Sequence, residues 1–179
     1  MDPVQSATPQ RRSALRSASV SRTLEIGRAL GAAAQPGTLI ALTGPLGAGK
    51  TQLTKGIAQG LGVTGVVNSP TFVLMNEHPG RLRLFHVDAY RLGDPREAWD
   101  AGLLDDRQAE GVTVVEWADR LEGWLPDERL EIDLRQLTGD ETRELTWTAV
   151  GPAKCPQPYC LWSGSFSPRT AGIFAALTR

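Results

Sequence analysis

At 179 residues, with 41% hydrophobic and 22% charged side chains, the chain is long enough for one α/β domain with a sizeable core and too short for a multi-domain ATPase machine. Its formal charge of −1 conceals an asymmetry: residues 1–22 hold four Arg against one Asp, residues 151–179 hold one Lys and two Arg with no acid, and the middle is −7. Nucleic-acid backbones are gripped by concentrated positive charge, so the acidic middle argues against a stand-alone RNA or DNA binder, and no apolar run reaches membrane-spanning length.

Residues 1–20, MDPVQSATPQRRSALRSASV, lack sustained apolar periodicity and read as a disordered extension. They have no apolar signal-peptide stretch, which leaves a cytoplasmic location as the expectation. Their Ser- and Arg-rich, acid-poor composition keeps organelle targeting as the alternative. A folded domain is expected over 21–150. It opens with a helix from Ser21 to about Ala34, ended by Pro36-Gly37, followed by a strand over Leu39–Thr43 and a Gly-rich turn. Leu53, Ile57 and Leu61 then recur at helical spacing, with Gly62 at a C-cap position. Two β-rich runs around Pro79-Gly80 predict an antiparallel hairpin over about Thr71–Tyr90. DPREAWDAGLLDD predicts a helix capped by Asp94, and the apolar run from Val112 predicts a strand ending in Glu116. RLEIDLRQL and TRELTWTAV form a second hairpin around residues 138–141. Residues 151–179, with four Pro and three Gly, read as a loosely ordered tail; they contain Cys155 and Cys160, too few for a structural zinc site without other ligands. The order of elements predicts an α/β fold: a P-loop NTPase-like three-layer α/β/α sandwich, its central sheet mixed but mostly parallel, with antiparallel hairpin additions.

Gly44-Pro45-Leu46-Gly47-Ala48-Gly49-Lys50-Thr51 matches the P-loop pattern in full. Its glycines let main-chain N–H groups turn inward around a β-phosphate, Lys50 reaches the β/γ oxygens, and the Thr51 hydroxyl ligates Mg²⁺ at a helix N-terminus that favours anions. Such a site needs a second metal anchor at the end of a neighbouring buried strand, which Glu116 supplies. His86, Asp88 and Tyr90 alternate along one strand and project from one face, where an Asp could orient or deprotonate an attacking water and a His could position it; an exposed polar face is the other reading. Ser69-Pro70-Thr71 follows the P-loop helix, where switch segments of nucleotide hydrolases lie. The guanine-reading N-K-x-D and the D-x-x-G switch of GTPases are both missing. Three classes stay open: a regulatory ATPase inside a protein complex, a small-molecule kinase with Arg91, Arg96 and Arg107 as lid arginines, and a nucleotide-binding module without catalysis.

LTGPLGAGKT, SPTF, FHVDAYRL and VEWADRL, followed by LP and LEI at these intervals, resemble the TsaE (formerly YjeE) family of bacterial P-loop ATPases over roughly residues 20–135, and over neither tail. The resemblance implies a role in making N6-threonylcarbamoyladenosine, the modified base beside the anticodon of tRNAs reading ANN codons. It implies ATP and Mg²⁺ as cofactors and the TsaB–TsaD pair as partner, with TsaD the main contact and tRNA reached only through the complex. By matching position, Lys50 and Thr51 would hold phosphate and Mg²⁺, Glu116 would complete the metal site, and Asp88 would orient the water. Thr71 would sit in the mobile switch, with Trp117 and Arg91 at the site edge or partner surface.

Overall fold

Strands buried on both faces read as near-continuous apolar runs, and three segments do so: β2 (Thr38–Thr43), β4 (Leu84–Asp88) and β5 (Val112–Glu116). In the computed structural model, which describes residues 13–137 and 142–151, they form the centre of a seven-stranded sheet. The others are β1 (Ser13–Ser17), β3 (Met75–His78), β6 (Arg129–Gln136) and β7 (Arg143–Val150), in spatial order β1-β7-β6-β2-β5-β4-β3. The four strands β6, β2, β5 and β4 run parallel, while β1, β7 and β3 are antiparallel additions. The sheet is thus mixed, as expected.

Two helices, α1 (Val20–Ala33) and α2 (Lys50–Gly60), cover one face, burying Ile26, Leu30, Leu53 and Ile57 against Ile40, Leu42, Val114 and Ile132. They meet backbone to backbone: a Cβ on Gly31 would collide with the Ile57 carbonyl, and one on Gly60 with the Arg28 carbonyl. The opposite face carries a thinner layer of short turns, with Leu92, Ala98, Leu103 and Leu121 over Leu39, Ala41, Val87 and Val115. There α3 covers only Pro95–Asp100, shorter than expected. Gly102 takes a left-handed φ of +63°, and Asp105 caps a separate 3-10 turn at Asp106–Glu110, so the helical path is broken.

The disorder expected through residue 20 does not hold for Ser13–Ser17. That segment pairs antiparallel with β7, from Ser13 opposite Trp147 to Ser17 opposite Arg143. The strand owes its existence to a partner about 130 residues away, a non-local term that local periodicity does not carry. Ser17 then hydrogen-bonds Thr23 (2.8 Å), and Ser19 caps α1 by accepting from the Arg22 amide (3.1 Å). Residues 1–12 and 152–179, with Cys155 and Cys160, lie outside the described residues.

Candidate functional site

The parallel register sets the site. Glu116 lies opposite both Leu42 and Asp88, so the ends of β2, β4 and β5 bring the P-loop and two carboxylates to one edge of the sheet. Beyond Thr43 the chain turns at Gly44 (φ +126°), where a Cβ would strike the Leu134 carbonyl of β6, and enters α2 through Gly49 (φ +104°). The first amides of α2 then face a cleft of about 540 Å³ lined by Gly47, Gly49, Lys50, Thr51, Ser69, Thr71, Asp88, Glu116 and Trp117. Ala48 is buried beneath the turn, while Leu46 stands exposed at its rim.

Lys50 is folded into this turn. Its Nζ donates to the carbonyls of Gly44 (2.7 Å) and Pro45 (3.0 Å) and lies 3.6 Å from the centre of the Trp117 ring. Burial pushes the Lys50 ammonium below the usual lysine value, opposed first by Glu116 and then by Asp119, Asp88 and Asp133. Trp117 reaches the lysine because its backbone is left-handed (φ 58°), a conformation costing a bulky residue ~1–2 kcal/mol, which the packing of its indole against Lys50 and Tyr90 offsets.

Glu116 is 2% exposed and accepts three hydrogen bonds. Thr51 donates to Oε2 (2.8 Å), and Thr54 (3.1 Å) and His86 Nε2 (2.8 Å) donate to Oε1. Asp88 is equally enclosed: Oδ2 accepts from the hydroxyls of Ser69 and Thr71 (2.7 Å for Thr71), and Oδ1 accepts from the Tyr90 amide (2.9 Å). Among the described residues no group of three or more His, Cys, Asp and Glu forms a metal cage. One hydroxyl and one carboxylate beside a phosphate cradle is the donor set of a hard cation that retains its waters and shares the phosphates, so these residues fit Mg²⁺.

The structure therefore brings together the expected P-loop residues Gly44–Thr51, with Thr71, Asp88 and Glu116. His86 and Asp88 share a face, but an interior one: His86 is fully buried, which overturns the polar-surface alternative. Tyr90 lies beyond the strand and is 42% exposed at the mouth. His86 does not line the cleft; it stands behind Glu116. The three lid arginines line no part of the cleft. Arg91 stacks on Phe72 (4.1 Å), Arg96 pairs with Asp94 (2.6 Å), and Arg107 with Asp105 (2.7 Å) and Glu77 (3.3 Å). The site also includes residues outside the sequence expectation, Thr54 and Arg143 among them. Thr54 follows Lys50 by one helical turn, a spacing that signals a shared face, whereas Arg143, which packs its side chain against Gly49, carries no local signal.

Among the described residues no helix is long and apolar enough to cross a membrane. Residues 17–145 match the model of the family described as threonylcarbamoyl adenosine biosynthesis protein TsaE. The chain is 47% identical over 137 residues to the tRNA threonylcarbamoyladenosine biosynthesis protein TsaE of Bacillus subtilis, covering 76% of this chain and 85% of that one. It is 39% identical to the Treponema pallidum protein of the same name, covering 73% and 96%. The crystal structure of Bacillus subtilis YdiB superimposes with a TM-score of 0.66 at 39% identity, covering 81% of this chain and 90% of that one. With its P-loop, its paired strand-end carboxylates and these matches over most of its length, the chain belongs to the TsaE family of threonylcarbamoyl adenosine biosynthesis proteins.

Proposed function

We propose that this chain binds ATP with Mg²⁺ in the cleft and hydrolyses it, slowly alone and faster beside a cytoplasmic TsaB–TsaD pair. Hydrolysis supports repeated turnover of the transferase that forms threonylcarbamoyladenosine in tRNA. The observation that carries this reading is the hydrogen bond from the Thr51 hydroxyl to Glu116 (2.8 Å), at the start of the phosphate-binding helix and one strand from Asp88. The acidic middle of the chain agrees with a component that meets tRNA through its partners.

Each residue has a defined task. The amides around Gly47 to Thr51 donate to the β-phosphate, and Lys50 exchanges the Gly44 and Pro45 carbonyls for phosphate oxygens. Thr51 and Glu116 would hold Mg²⁺, which when bound neutralises charge on the phosphate oxygens. Asp88 takes up water orientation once Ser69 and Thr71 leave its carboxylate, whose Oδ2 otherwise accepts from both of those hydroxyls. Thr71 is thereby tied to the state of the site. The test is a modified-nucleoside assay on tRNA, reconstituted with TsaB–TsaD with and without this protein. Multiple turnovers are expected only in its presence, and equal turnover in its absence would refute the role. Transfer of phosphate from ATP to a metabolite in the same mixture would instead establish a kinase.

A further inference from the structure

We infer that His86 is the positioning residue of the metal-side carboxylate: it pins Glu116 Oε1 inward so that Oε2 is the oxygen presented to Thr51 and the cleft. This rests on the Mg²⁺ reading proposed above. His86 is fully buried in β4, and its Nε2 lies 2.8 Å from Oε1, while its Nδ1 has no hydrogen-bond partner among the described residues. An ionised carboxylate only accepts, so the 2.8 Å contact is a hydrogen bond with a ring hydrogen on Nε2, donated to Glu116, whereas an Nε2 lone pair would face the lone pairs of Oε1. Among the described residues the ring makes no second hydrogen bond, and the His78 ring lies beside it with centroids 6.5 Å apart.

The remaining donor to Oε1 cannot do this work alone. Thr54 has one hydroxyl hydrogen, and its oxygen lies 3.0 Å from the Lys50 carbonyl as well as 3.1 Å from Oε1. Whenever that hydrogen goes to Lys50, His86 alone holds the inner oxygen. Outer partners that orient a metal-binding side chain typically govern metal affinity by about 10–100-fold, and this bond has that geometry.

The experiment compares the full-length wild-type protein with H86Q and H86L. Calorimetry measures binding of a non-hydrolysable ATP analogue, first with EDTA and then across a Mg²⁺ series, and electron paramagnetic resonance counts bound Mn²⁺ in the same complexes. All three proteins are expected to bind the analogue alike in EDTA. The cation concentration for half-maximal effect should rise about 10–100-fold in H86L and stay near wild type in H86Q, whose amide nitrogen occupies the place of Nε2. Should H86L fail to fold by circular dichroism, H86N replaces it, since the asparagine amide falls short of Oε1. An unchanged cation dependence in H86L or H86N, or a loss in H86Q as large as theirs, overturns the positioning role and leaves the metal site standing. A wild-type protein indifferent to Mg²⁺ and Mn²⁺ overturns the metal site itself, and the positioning role with it.

Discussion

Replacing Glu116 by Gln separates the carboxylate's charge from its shape. The side chain is isosteric, and its oxygen can keep facing His86 and Thr54. Its amide would then face Thr51, whose hydroxyl can turn from donor to acceptor for one N–H, with the other on the side of the cleft that Glu116 lines. Three hydrogen bonds to a charged acceptor, at ~1.5–3 kcal/mol each, become neutral ones at ~0.5–1.5 kcal/mol, a loss of roughly 3 kcal/mol. Against this stands relief of the desolvation of a carboxylate that is 2% exposed, itself several kcal/mol. The two nearly cancel. We expect Glu116→Gln to shift unfolding free energy by less than ~2 kcal/mol. Glu116→Ala instead orphans the His86 donor at about 1–3 kcal/mol and adds the cost of the lost volume. Urea titration gives both values, and Mg²⁺-dependent phosphate release gives the function, for which both variants should fall at least ~100-fold. A Glu116→Gln protein that is as unstable as Glu116→Ala yet turns over normally would show the carboxylate to be purely structural.

Lys50→Ala should abolish tight triphosphate binding in calorimetry, since no other ammonium enters the cleft among its described lining residues. Asp88→Asn should leave nucleotide affinity within a few-fold while lowering turnover by about 10²–10⁴; equal losses in both would assign Asp88 to binding. Burial first, and the neighbouring His86 second, hold the His78 imidazole below its ordinary value. The unfolded chain therefore takes up that proton more readily, and stability present above the unfolded value of about 6.5 is lost as pH falls through it towards the folded value. Urea midpoints at pH 7.5 and 5.5 should differ more in wild type than in His78→Gln, and identical slopes would contradict this. Gly31→Ala should destabilise although alanine gains up to ~1 kcal/mol in helix propensity, because its Cβ would strike the Ile57 carbonyl; a higher melting temperature would refute that close approach.

Features written in short-range spacing were legible from the chain alone: the P-loop turn, the apolar run into Glu116 and both hairpins. What escaped depends on contacts between distant segments. Alternation places His86 and Asp88 on one face, but that this face is covered depends on α2 lying above it, and His86 stands behind Glu116 without lining the cleft. Ser13–Ser17 reads as featureless until β7 stands beside it. Arg96 and Arg107 have the charge a lid needs, but Asp94 and Asp105, each two residues upstream, hold them in local pairs. The left-handed backbone of Trp117 is likewise set by what its ring covers, with no glycine to announce it.

At Gly27, Gly31, Gly56 and Gly60 the backbones of α1 and α2 approach across hydrogen alone, where most helix pairs interleave side chains. Such a joint has no soft layer to absorb a displacement, so a shift of one helix would carry the other with it. Since α1 is tethered through Ser17, Ser19 and Thr23 to the strand at the sheet's outer border, a displacement of the lysine-bearing helix would be passed to that border. A protein gripping β1 would hold a lever on the phosphate site without entering it.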